Sequence, residues 1–279
     1  MLTSLYIKTP ENCSKVKKFF SKFLFDTMYV EVKRMEDIRL KTIEYISRSG
    51  SINFKKLDKE IGSQKNRLLC NRDVALPKDR GYKRFEGSEY KERLCTHLGL
   101  SLLSALSTLN LSVGLIDENA RFLTLPEYLL RYTDSVVVVS NQYEAYKEQN
   151  ENLLHEIGAP IRLSKSLSSL YDCDLIIAPD GINESANTKS DALILTTRKP
   201  KAKLTGTVIY DYHIELDEKY QSIMPKGLTQ TYFASALYTL TREYILGSKL
   251  PSLCVSENKV HTVSSLKVYL ENIHTKNLT

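Results

Sequence analysis

The chain has 279 residues, 42% hydrophobic and 26% charged, which excludes a disordered polymer and leaves room for one large or two modest cores. Residues 1–100 hold 22 basic and 13 acidic side chains, net +9, and the rest is −3, so the first part either meets an anionic partner or presents a solvated lysine-rich surface. Five cysteines without Cys-x-x-Cys spacing exclude a disulfide framework and a zinc site, and the absence of an apolar targeting run at the N-terminus suits a reducing cytoplasm.

Leu5-Tyr6-Ile7 reads as a short strand. Thr9-Pro10-Glu11 reads as a helix start, with Thr9 as N-cap and Pro10 at the first helical position, and the helix carries Val16, Phe19, Phe20 and Phe23 on one side. In 28–33, Val30 and Val32 alternate with Glu31 and Lys33, a half-buried strand. Residues 37–46 have helical character up to the break at Ser47-Arg48-Ser49-Gly50. Asn53 caps a brief helix whose Phe54, Leu57 and Ile61 share a face, and Gly62 stands at its C-cap. The stretch 63–87 is irregular and polar, and Ser88 opens a long helix with Tyr90, Leu94, Leu98, Leu102 and Ala105 on one face. Nineteen uncharged residues, 98–116, contain six polar side chains and two glycines, so they form the end of that helix, a turn near Asn110 and a buried strand rather than a membrane span.

From there short apolar strands alternate with helices. Val113–Ile116, Val136–Val139, 161–163, Leu175–Ala178, 192–195 and 207–210 read as strands. A helix over 125–132 enters on Pro126, a second runs from an Asn141 cap to Gly158, and 167–171 is a short turn or helix. Solid apolar strands separated by helices predict βαβ units with right-handed crossovers. Two tail helices follow, one lined by Tyr232, Phe233, Ala236, Leu237 and Leu240, the other by Val263, Leu266, Leu270 and Ile273. The predicted architecture is α/β: a doubly wound, Rossmann-like parallel sheet over 109–279, preceded by a smaller basic α/β domain over 1–108, with the C-terminal helices of 216–279 returning to the first domain.

In such sheets ligands bind beyond the carboxyl ends of the strands. That rule selects Ser140 and Asn141, which open a helix and either cap it or hold a phosphate; Asp180, Gly181 and Asn183; Thr197, Arg198 and Lys199, suited to grip a phosphate or carboxylate; and the acid–imidazole pair Asp211 and His213, which share one side of a strand. Asp211 and His213 are candidates for proton transfer or simply a strand-end pair at the surface. In the first hundred residues Lys65, Arg67, Lys83, Arg84 and Arg93 interleave with Tyr82, Phe85 and Tyr90, the mixture a single-stranded nucleic acid or a nucleotide requires. The helical 37–46 and 54–61 imitate the first two elements of a helix-turn-helix. The same cations would otherwise complete an anion site across an interdomain cleft.

The segments Val136–Ser140, Asp174–Pro179, Asp191–Thr197 and Gly206–Asp211 give residues 110–215 a strand–loop rhythm that resembles the nucleotide-binding domains of reductases of the shikimate dehydrogenase and methylenetetrahydrofolate dehydrogenase type. The resemblance implies NAD or NADP as cofactor, a smaller α/β domain first, and a C-terminal helix returned to it. The chain departs from the pattern at the glycine-rich turn, which neither Ser140-Asn141-Gln142 nor Asp117-Glu118-Asn119-Ala120-Arg121 supplies, so no catalytic residue is carried over. Three readings follow: an oxidoreductase-like enzyme or former enzyme binding an anionic small molecule or nucleotide; a nucleic-acid-binding module; and a non-catalytic regulatory or scaffold protein.

Overall fold

The computed structural model describes residues 1–9, 25–48, 52–241, 249–257 and 259–277. The helix expected after Thr9, with its phenylalanine stripe and Cys13, lies outside the described residues. In chain order the strands are β1 (Leu2–Lys8), β2 (Thr27–Met35), β3 (Ile38–Ile46), β4 (Val113–Ile116), β5 (Val136–Val139) and β6 (Arg162–Ser164), then β7 (Leu175–Ala178), β8 (Leu193–Thr196), β9 (Thr207–Ile209), β10 (Asp211–His213), β11 (Leu253–Val255) and β12 (Val260–His261). The helices are α1 (Phe54–Ile61), α2 (Ser88–Ala105), α3 (Leu125–Leu129), α4 (Tyr143–Glu156), α5 (Glu218–Gln221), α6 (Gln230–Ala236) and α7 (Val263–Asn277). They belong to two compact units, Met1–Gly87 with Leu216–Leu246, and Ser88–Glu215 with Gly247–Thr279.

In the first unit β3 is the centre of a three-stranded sheet, parallel to β1 and antiparallel to β2. Residues 38–46, expected as helix, are therefore a strand. Ile38 and Leu40, then Ile43 and Tyr45, are buried at alternate positions, and all nine residues of β2 pair with β3 from Met35↔Ile38 to Thr27↔Ile46. The two strands are joined through Glu36 at φ 51, so the helix-turn-helix reading loses its first helix. Along the other side of β1, Leu5 N–H donates to Leu69 O and Leu69 N–H to Thr3 O. Behind the sheet Leu57 and Ile61 of α1 pack with Leu5, Ile43, Tyr45, Leu68, Cys70 and Tyr82. The Asn53 side chain accepts from Lys56 N–H and Gly62 N–H closes on Asp58 O, the expected caps.

The second unit contains a six-stranded, wholly parallel sheet in the order β6-β5-β4-β7-β8-β9. Counted along this unit, that is third, second, first, fourth, fifth, sixth, the Rossmann order, with its reversal between β4 and β7. β4, β5, β7 and β8 are buried at every residue, which is why each is a solid apolar run. Helix α2 packs on β7 and β8 and belongs with them. Gly206, at φ 99, turns the chain into β9 against the backbone of Lys189 and Ala192. The chain then runs directly into β10, which forms a small antiparallel sheet with β11 and β12. Asp211 and His213 thus lie on a strand, as expected, but one that belongs to this small antiparallel sheet. No helix among the described residues is long and apolar enough to cross a membrane, and the uncharged stretch divides between α2, a turn at Asn110 (φ 48) and β4.

Candidate functional site

At the reversal two segments leave adjacent parallel strands at the same end: 117–124 after β4 and 179–183 after β7. Asp117, the first residue past β4, is wholly buried. Its Oδ1 accepts the backbone N–H of Arg121 at 3.0 Å, and its Oδ2 accepts Phe122 N–H at 2.7 Å and the Tyr146 hydroxyl of α4 at 2.6 Å. Burial, then this bond, raises the Tyr146 phenol above its usual range.

The residues of this turn do not fit a dinucleotide. A pyrophosphate at the first βα turn needs free amides and a backbone without side chains. Here the amides of Arg121 and Phe122 already hold a carboxylate, Ala120 takes φ 54 where such turns use glycine, and α3 is only five residues long. Asp117 is an internal anion in the place of an external one. Sequence reasoning registered the missing glycines but not the carboxylate; the available signal was an acidic residue directly after a buried strand.

Across the reversal, Arg121 binds Glu92 of α2 through two bonds, at 3.2 and 2.6 Å, and Asp180 Oδ1 at 2.5 Å. The Asp180 side chain is only 8% exposed, and its Oδ2 is buried without a hydrogen bond. Burial foremost, and the Asp117 carboxylate, push its pKa above 3.8 against the opposing pull of Arg121 and Asn119. Native Asp180 therefore holds its proton more tightly than the unfolded chain does, and this contribution to stability falls as pH rises from the unfolded value through the folded one. Urea midpoints of the wild type and Asp180→Asn, followed from about pH 4 to 7, are expected to converge or cross in the variant's favour as pH rises; a constant difference overturns the assignment.

Beside Asp180, Gly181 (φ 89) carries the Arg198 guanidinium directly on its backbone: a Cβ there would meet Nε at 2.7 Å. Arg198 Nη2 donates to Asn183 Oδ1 at 2.9 Å and to Asp180 O at 3.4 Å. Asn183 Nδ2 in turn reaches both Glu118 oxygens at 3.2 Å. The Thr197 hydroxyl donates to Pro179 O at 3.0 Å. The structure thus brings Asp180, Gly181, Asn183, Thr197 and Arg198 together. Lys199 faces Glu257 at 3.4 Å across an exposed surface. Ser140 is buried, its Oγ accepting Gln142 N–H at 3.1 Å; α4 starts at Tyr143 after Gln142, and Asn141 does not cap it. On β10, His213 Nε2 lies 3.8 Å from Asp211 Oδ2, while Asp211 Oδ1 accepts from Lys91 at 3.0 Å. Tyr212 between them is buried and donates to Thr196 O.

The basic cluster is organised differently from a stacking surface. Tyr82, Phe85 and Tyr90 are interior, at 3%, 6% and 0% exposure, so their faces meet neighbours and not bases. Asp58 gathers Lys65 at 2.7 Å, Arg80 at 3.1 Å and the Tyr82 hydroxyl at 2.9 Å, and these partners, Lys65 first, hold its carboxyl below the usual range. Arg67 donates to Gln64, and Arg84 to the carbonyls of Arg72 and Val74; Lys83 and Arg93 are exposed. Cys70, Cys95, Cys173 and Cys254 are buried and free, and no group of three metal-binding side chains exists among the described residues.

No protein-family model matches the chain, and no curated protein matches it in sequence. Among solved structures, the L-tryptophan dehydrogenase of Nostoc punctiforme is similar at 12% identity and a TM-score of 0.32, over 98% of this chain and 80% of that one.

Proposed function

We propose that the chain is a small-molecule-binding protein built on a Rossmann-like sheet, a former enzyme of oxidoreductase-like design that holds an anionic ligand at the β4–β7 reversal through Arg198. The observation that carries this reading is the state of that guanidinium: at the mouth of a parallel sheet it bonds only neutral acceptors, and no described carboxylate pairs with it. Arg121, by contrast, is already neutralised by Glu92 and Asp180. A planar, permanently charged fork whose remaining donors are open to solvent suits a carboxylate or phosphate. The Asp117-filled turn argues for a ligand other than a dinucleotide, and for binding without hydride chemistry. The interior placement of Tyr82, Phe85 and Tyr90 favours it over the nucleic-acid reading.

The test is a thermal-shift and calorimetric screen of carboxylates, inorganic and sugar phosphates, mononucleotides, NAD and NADP on the whole chain. At least one anion is expected to bind, and Arg198→Ala is expected to weaken it about 10- to 100-fold, the range of a charge-assisted hydrogen-bond pair. A panel without a hit, or a hit that Arg198→Ala leaves intact, overturns the proposal.

A further inference from the structure

The same mouth contains a second uncompensated charge, and of the opposite sign. Glu118, one residue past Asp117, pairs with no described cation, although Arg198 stands two hydrogen bonds away. The amide of Asn183 is inserted between them, its oxygen accepting from Arg198 at 2.9 Å and its nitrogen donating to Glu118 at 3.2 Å. Two long, flexible side chains of opposite charge at this separation gain by closing on each other. Here each is held by one end of a neutral dipole, and both charges remain available. The orientation of the amide follows from its neighbours, since reversal would set its oxygen against the carboxylate and its nitrogen against the guanidinium.

From this juxtaposition we infer that the ligand is dipolar: an anionic group that meets Arg198 and, a few bonds away, an ammonium that meets Glu118. The inference rests on the anion reading above and narrows it to a class, amino acids and related zwitterions. The neighbouring groups favour the negative side of the site as a cation acceptor. Asp180 Oδ2, in the segment that also carries Asn183, is buried without a hydrogen bond, so a donor that displaces the local side chains finds a second acceptor there. Arg121 and Asp117 take no part in this recognition, the first engaged by two carboxylates and the second by the turn.

The experiment compares matched pairs on the full chain by calorimetry: acetate with glycine, propionate with β-alanine, and butyrate with 4-aminobutyrate, against wild type, Glu118→Gln and Arg198→Ala. Glu118→Gln keeps the acceptor for Asn183 and removes only the charge, and thermal unfolding of both variants verifies that they fold. At least one zwitterion is expected to bind about tenfold or more tighter than its carboxylate. Glu118→Gln should abolish that advantage without changing carboxylate affinity, and Arg198→Ala should weaken both members of the pair. Equal affinities within every pair, or an advantage that survives Glu118→Gln, sink the dipolar inference while the anion reading stands. Binding of both members that survives Arg198→Ala removes the anion reading, and the inference with it. Silence from all six probes also rejects the dipolar class.

Discussion

Replacing Asp117 by alanine is expected to cost about 3–5 kcal/mol of folding free energy, the range for removing one partner from a buried, hydrogen-bonded charge. The substitution leaves three donors in the interior without an acceptor: two backbone amides of the turn and the Tyr146 hydroxyl. The described residues show no second hydrogen bond for any of the three, and Asp117 itself is 0% exposed. Asp117→Asn keeps the shape but has a single acceptor oxygen: in the Oδ2 position it still takes Phe122 N–H and the Tyr146 hydroxyl while its amide nitrogen faces Arg121 N–H, so its expected cost is smaller than that of alanine, about 1–3 kcal/mol. Tyr146→Phe removes a donor and its acceptor's third bond together, at about 1 kcal/mol. Urea unfolding of the three variants checks the series. An alanine variant within about 1 kcal/mol of the wild type would show that the turn does not depend on its internal anion.

Gly206→Ala is the second large effect, expected at about 3 kcal/mol or more, because positive-φ strain and overpacking add. A Cβ at this position would stand 2.5 Å from the Ala192 carbonyl oxygen and 3.2 Å from that of Lys189. Both are backbone atoms, and Ala192 leads into β8, so relief requires shifting β9 from the strand it pairs with. Gly158→Ala is the control. Its φ of 74 is similarly unfavourable for alanine, but a Cβ there meets nothing within 4 Å, so the strain alone, about 1 kcal/mol, is expected. Thermal unfolding of both variants reads the difference, and equal losses would rule out the steric component.

The parallel sheet was legible where burial on both faces forces apolar continuity: Val136–Val139, Val113–Ile116 and Leu175–Ala178 are strands to the residue. Strand order was not legible, because it depends on pairings such as Val113↔Leu175 that leave no local pattern. The misread element, β3, has Lys41 and Thr42 between its two alternating pairs, which breaks the period of two, and its hairpin turns at Glu36 instead of at a glycine or asparagine. Rim residues could be selected by the carboxyl-end rule, and Asp180, Gly181, Asn183, Thr197 and Arg198 do converge. The rule could not show that Asp117 fills the turn, that Glu92 and Asp180 share Arg121, or that an amide separates Arg198 from Glu118. Those depend on which side chains meet after folding. The basic–aromatic mixture around Tyr82 failed as a signal for the same reason: composition does not reveal which way a ring faces.

Of the three sheets, the six-stranded one and that of the first unit end very differently, and this governs where each is open to strand addition. The six-stranded sheet terminates in β6 and β9, three residues each, too short to template another backbone. In the first unit the free side of β1 is already bonded to Leu69, but β2 presents nine residues at its margin, with Tyr29, Val30 and Val32 more than 40% exposed. Its protection comes from Glu31, Lys33 and Arg34, charges that discourage a neighbouring chain from docking there. Substitutions that neutralise these three are where insolubility should first emerge.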